Sequence, residues 1–146
     1  MRTILVGFDA SDASERALAR GADLAKALGA ALVVTSVAVL PVPTPGFDAA
    51  LPTASGQLAA TGVGEIELAE QHLERARMLL EGRSLEAEFV AEVGTPAERI
   101  IELAEQRQAD MIVVGTREPG FLARLLEGSV SQDVSRATHR DVLIVH

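Results

Sequence analysis

The 146-residue chain has no cysteine, tryptophan or tyrosine, and its aromatic content is 3%, all of it four phenylalanines. The lack of cysteine excludes disulfides and thiolate chemistry and agrees with a reducing compartment. With so few aromatics, the core must come from Ala, Val, Leu and Ile. Such side chains suit helices lying closely on a parallel sheet. Lysine is nearly missing as well, with Lys26 the one example. The net charge of −8 excludes a general nucleic-acid binder, which needs clustered Lys and Arg. It leaves room for a small anionic ligand held by local backbone amides. No stretch approaches the roughly 20 apolar residues of a membrane helix. The opening Met1–Gly7 has one positive charge and too short an apolar run for a signal peptide. A soluble, cytoplasmic protein with no nucleic-acid and no membrane partner is expected. The 48% hydrophobic content argues for one folded domain over residues 1–146.

Apolar runs bounded by Gly, Pro or Asp alternate with segments of helical period. Ile4 to Phe8 reads as a buried strand. Asp12 to Leu28 follows as a helix, with Asp12 and Glu15 spaced for a capping box and Gly29 as its stop. Ala31 to Val39 is a second strand. Residues 41–62, rich in Pro, Gly, Ala, Thr and Ser, form a long loop, a lid or a disordered segment. The next helix runs from about Glu65 to Glu81, with Ile66, Ala69, Leu73, Ala76 and Leu80 as its apolar stripe. From Leu85 to Glu92, Leu85, Ala87, Phe89 and Ala91 alternate with Glu86, Glu88 and Glu92, the pattern of a strand at a sheet edge. Thr95-Pro96-Ala97-Glu98 starts a helix ending near Gln108. A strand at Asp110 to Val114, a helix from about Ser129 to Thr138 and a last strand at Asp141 to Val145 complete the order β-α-β-α-β-α-β-α-β.

Strands separated by helices run parallel through right-handed crossovers. The pattern therefore predicts an α/β fold, a doubly wound, five-stranded parallel sheet with helices on both faces. Its ligand belongs beyond the carboxyl ends of the strands, near a switch in strand order.

Several nucleotide-binding patterns fail on inspection. The first strand–helix loop, Gly7-Phe8-Asp9-Ala10-Ser11, lacks the G-x-G-x-x-G of a dinucleotide site. Gly115 and Gly120 have the outer spacing of a Walker A loop, but Phe121 and Leu122 stand where Lys and Ser or Thr are required. A receiver domain needs a Lys after its last strand, where this chain has His146. His72, His139 and His146 are scattered and give little support for a metal site. No Ser-His-Asp or paired-carboxylate arrangement can be argued from spacing, so no catalytic residue is assigned.

Gly115-Thr116-Arg117-Glu118-Pro119-Gly120-Phe121-Leu122-Ala123-Arg124-Leu125-Leu126-Glu127-Gly128-Ser129 resembles the signature G-x2-G-x9-G-(S/T) of the universal stress protein family. The likeness extends along the chain: the opening strand ending at Asp9, the Pro-rich loop, V-G-T-P before a helix, I-V-V-G-T, and the final D-V-L-I-V. The resemblance implies a Rossmann-like module that binds an adenine nucleotide, ATP or AMP, in a stress response. Mg²⁺ would arrive with the phosphates, near Asp9, and ATP hydrolysis would be slow at most. It also implies a homodimer through the C-terminal strand. Site residues would be Asp9 at the nucleoside end, Val37 through its backbone at adenine, and Gly115, Gly120, Gly128 and Ser129 at the phosphates. Physics agrees at two points: Gly115 lets the backbone pass close to a phosphate, and Gly128 and Ser129 open a helix whose free amides favour an anion.

There is one departure. Counting back from Gly128, the second signature glycine falls on Glu118, a carboxylate where phosphate should approach. Three readings stay open. Gly120 takes over with Pro119 fixing the turn; the site takes a less charged nucleotide, such as AMP or a cyclic one; or Glu118 closes the site and a dimeric interaction protein remains. Arg117 and Arg124 lie near enough in sequence to offset Glu118. Plain structural roles are open too: Asp9 as a turn or cap residue, Gly115 as a turn glycine, and Ser129 with Gln132 as a capping box. A nucleotide hydrolase of the same fold is the third functional class, and it lacks a recognisable reactive group.

Overall fold

A computed structural model describes residues 1–40, 63–116 and 130–146, and the long loop read at 41–62 lies outside them. Its elements are β1 (Thr3–Gly7), α1 (Asp12–Leu28), β2 (Ala31–Ala38), α2 (Val63–Leu80), β3 (Ala87–Val93), α3 (Pro96–Gln106), β4 (Met111–Gly115), α4 (Val130–Ala137) and β5 (Asp141–Val145). All four strand pairings are parallel, in the order β3-β2-β1-β4-β5. The strand order reverses at β1, with β2 and β3 laid down on one side and β4 and β5 on the other.

The period of two along each strand sorts side chains into two layers. Ile4, Val6, Leu32 and Val34 face Ala17, Leu18, Ala22 and Ala25 of α1 and Leu73, Ala76 and Leu80 of α2. Leu5, Val33, Ile112 and Val114 face Ile100, Leu103 and Ala104 of α3 and Val134 of α4. Because β1 is covered on both faces, Ile4, Leu5 and Val6 are all fully buried, which explains their continuous apolar run. Small residues permit the close approach. A Cβ on Gly21 of α1 would lie 2.6 Å from Cγ2 of Val6.

The α1 cap differs by one residue from the sequence expectation. Ser11, not Asp12, is the N-cap: it is extended (φ −73°, ψ 158°) and its hydroxyl accepts from the Ser14 N–H at 3.2 Å. Glu15 makes no reciprocal box; its carboxylate pairs with Arg75 of α2 at 3.1 Å. At the other end Gly29 adopts the expected left-handed conformation (φ 62°). Thr95 holds the N-cap position of α3 with Pro96 after it, although its side chain makes no cap hydrogen bond.

β3 lies at one edge of the sheet, as its alternation predicts, and β5 lies at the other. Ala87 and Phe89 on β3, with Leu85 just before it, pack on one core layer and Val90 on the other. The alternation stops at Ala91, which is exposed, while Glu92 is half-buried. The exposed Glu88 takes a two-pronged contact from Arg107, and that hydrogen bonding holds its carboxyl below the ordinary glutamate range. Near β4, Asp110 accepts the N–H groups of Arg2 and Thr3 at 2.6 and 3.0 Å and gives its own N–H to Thr3 at 2.8 Å, tying the start of β1 to β4. Those two backbone bonds lower its pKa from the usual aspartate value. Among the described residues no helix is long and apolar enough to cross a membrane.

Candidate functional site

Where the strand order reverses, the carboxyl ends of β1, β2 and β4 open onto a cavity of about 360 Å³. This lies within the range of small-molecule sites, roughly 300–1,000 Å³, and at the position where doubly wound sheets bind ligands. Its walls come from the β1–α1 turn, the end of β2, the first half of α2, and the starts of α3 and α4.

The β1–α1 turn is built by short polar side chains. After β1, Phe8 is buried and Asp9 is exposed, while Ala10 takes a left-handed φ of 61°. Asp9 Oδ1 accepts the Ser11 N–H at 3.0 Å, an Asx-type turn. Ser14 Oγ accepts the Asp9 N–H at 3.3 Å and donates to the Ser11 carbonyl at 3.0 Å. The turn role open for Asp9 is therefore filled, and the same residue lines the cavity. Together these bonds point the amino end of the 17-residue α1 at the crevice.

At the end of β2 the backbone itself borders the cavity. In a strand, the N–H and C=O of one residue point to the same side, and successive residues alternate. The Thr35 carbonyl accepts the Phe8 N–H at 2.8 Å, toward β1, and the Ala38 carbonyl accepts the Gly94 N–H at 2.9 Å, toward β3. Val37 therefore faces the β1 side, but β1 stops at Gly7, opposite Thr35. Beyond it lies the cavity, which Val37 lines. One donor and one acceptor thus point side by side toward the cavity.

Gly115, the last residue of β4, also lines the cavity. Its glycine has a reason that the sequence did not reveal. A Cβ there would lie 2.5 and 2.6 Å from the carbonyl carbon and oxygen of Ala13 and 2.8 Å from the Ser14 nitrogen. Gly115 lets β4 pass against the first turn of α1, whatever it does for a phosphate. On the far wall stand Val130 and the buried Ser131, the first residues of α4. Gly120, Gly128 and Ser129, together with Arg117, Glu118 and Arg124, lie outside the described residues.

Sequence reasoning missed several wall residues, among them His72, Leu68 and Glu65 of α2 and Ile100 of α3. His72 Nδ1 lies 3.2 Å from Oγ of Ser36, a residue 2% exposed. The available signal was spacing: Glu65, Leu68 and His72 share one flank of α2 beside the apolar stripe to which Ala69 belongs. Among the described lining residues the charged groups are the carboxylates Asp9 and Glu65, with no Lys or Arg. Among the described residues no group of three or more His, Asp or Glu could hold a metal ion.

Comparison with known proteins agrees with the geometry. The universal stress protein family model matches residues 1–146. Stress response protein NhaX of Bacillus subtilis is 33% identical, over 97% of this chain and 96% of its own. Universal stress protein Rv1636 of Mycobacterium tuberculosis is 36% identical, over 99% and 96%. Among solved structures, a universal stress protein in complex with cAMP superposes with a TM-score of 0.71 at 31% identity, covering 99% of this chain and 97% of that one. With its Rossmann-like parallel sheet and its match along the whole length, the chain belongs to the universal stress protein family.

Proposed function

We propose that this chain binds an adenine mononucleotide in the crevice at the ends of β1, β2 and β4, and acts in a stress response through binding rather than catalysis. The observation that carries this is the Val37 backbone, whose N–H and C=O face the cavity beyond the end of β1. A donor beside an acceptor matches the Watson–Crick edge of adenine, which offers N1 as acceptor and N6–H₂ as donor. The amino ends of α1 and α4, at the β1 and β4 side, favour the phosphate. Gly115, Gly120, Gly128 and Ser129 are assigned to that end, and Asp9 to the nucleoside. The cAMP complex of a relative 31% identical supports the ligand class.

Charge favours few phosphates. Asp9 and Glu65 both line the cavity, and Glu118 stands at the signature's second glycine. AMP or a cyclic nucleotide therefore suits the site better than ATP, which would have to bring Mg²⁺ with it. The melting temperature is read with AMP, cAMP and ATP, each with and without Mg²⁺. At 100 times its dissociation constant a ligand adds about 2.7 kcal/mol, a rise of several degrees. AMP or cAMP is expected to give that rise at lower concentration than ATP. No shift with any of the three at millimolar concentration refutes the proposal and favours the dimeric interaction protein.

The same reading includes a homodimer through β5. The Val145 carbonyl accepts the Thr116 N–H at 2.8 Å, toward β4, so the alternation turns the N–H and C=O of Val142 and Ile144 outward at the sheet edge. Ile144→Pro removes an outward donor and leaves the β4 ladder in place. Sedimentation equilibrium should find a dimer for the parent chain and a monomer for Ile144→Pro; a dimer unaffected by the change would exclude this edge.

A further inference from the structure

We infer that His72 is a nucleoside-reading residue of the crevice, acting beside the Val37 backbone at the end away from the phosphate. The inference rests on the reading of the crevice as an adenine-nucleotide site. Its own ground is the position of the imidazole. His72 is half-buried on α2 and lines the cavity, and its Nδ1 is 3.2 Å from Oγ of Ser36, the residue just before Val37.

That pairing makes His72 more than a wall. Ser36 is 2% exposed, so its hydroxyl is held in place, and the bond fixes the ring against the end of β2. A serine hydroxyl can donate to Nδ1 or accept from it. Nε2 can correspondingly present an N–H or a lone pair, whichever the ligand requires. Val37 offers a fixed donor and acceptor, and His72 adds a group whose polarity adjusts through Ser36. The nearby flank of α2, Leu68 and Ala69, supplies the apolar surface against which a base or ribose packs.

The sheet sets which part of a ligand His72 meets. β2 and β4 lie on opposite sides of β1. Adjacent strands are about 4.8 Å apart, so the β2 end and the β4–α4 end of the crevice are separated by roughly 10 Å. His72 is bonded to β2, whereas the start of α4 stands beyond β4. A mononucleotide with its phosphate at α4 brings its nucleoside to His72.

The test titrates AMP and adenosine into the 146-residue chain by calorimetry. His72→Ala should weaken both ligands by the same factor, about tenfold for one lost hydrogen bond, and His72→Gln should recover most of it. Unchanged affinity for both ligands overturns the assignment, and a loss confined to AMP overturns it by moving the imidazole to the phosphate end. Imidazole resonances of the unmutated chain are read in parallel, independent of how the variants fold. AMP should shift those of His72 and leave His139, which lies off the cavity wall, where it was; an unmoved His72 in a chain that binds AMP overturns the assignment. If the unmutated chain binds neither ligand, the nucleotide reading itself has failed and takes this one with it.

Discussion

Gly115→Ala is expected to destabilise the protein by about 3 kcal/mol, lowering the melting temperature by roughly 10 °C. A single methyl group rarely costs so much on a surface. Here it would enter the 2.5 Å between the end of β4 and the Ala13 carbonyl carbon, and its neighbours are backbone atoms that cannot rotate away. Either the first turn of α1 or the end of β4 must move. Both border the cavity, so the affinity for AMP should fall together with the stability. Gly29 is the control. Its φ of 62° is unfavourable for any side chain, yet no atom lies within 4 Å of a Cβ built there. Gly29→Ala should therefore cost only about 1 kcal/mol of backbone strain and leave binding unchanged. Thermal and denaturant unfolding of the two variants decides the matter. If Gly115→Ala costs no more than Gly29→Ala, close approach to α1 is not what selects glycine at the end of β4.

The fold was legible because its two signals are local and repeated. Ile4–Val6, Leu32–Val34 and Ile112–Val114 are short continuous apolar runs, which is what burial on both faces of a parallel sheet demands. The stripe Ala69, Leu73, Ala76, Leu80 and the Gly29 stop mark helices in the same way. Errors fell where a choice depends on one hydrogen bond. Ser11 and Asp12 are both good caps, and only the extended backbone at Ser11 decides between them. On β3, alternation places Ala91 with Leu85, Ala87 and Phe89, but it is exposed, because at an edge strand neither face is fully covered.

The site was legible only in part, because most of its contacts join distant segments. Asp9, Val37 and Gly115 were implied by the family resemblance, each at or just past a strand end, and all three line one cavity. The clash that keeps Gly115 a glycine comes from Ala13, on another element altogether. His72 meets Ser36 across 36 residues, and nothing near His72 in sequence announces a partner on β2. The family signature supplied Gly128 and Ser129 through their spacing, and Gly120 as the stand-in for its second glycine, rather than through any packing argument.

Val37→Pro separates backbone recognition from fold more sharply than any side-chain change. Proline inside a sheet normally deletes a ladder bond and breaks the strand. At Val37 the N–H faces the gap beyond β1, while the ladder to β3 is carried by Ser36 and Ala38. The substitution should therefore cost little more than the adjustment of φ, about 1 kcal/mol, and the melting temperature should fall by only a few degrees. Binding should suffer far more. The nucleobase loses a donor in a partly closed site and leaves a polar atom unmatched, a loss of about 2–3 kcal/mol, or roughly a hundredfold in affinity for AMP. Val37→Ala keeps the N–H and should bind within about threefold of the parent chain. Ala38→Pro, one residue on, removes a donor that faces β3 and should unfold far more readily than Val37→Pro. Equal loss of binding in Val37→Ala and Val37→Pro would assign recognition to the valine side chain. Full affinity in Val37→Pro would remove the Val37 N–H from the proposed site and leave its carbonyl as the only backbone group there to recognise adenine.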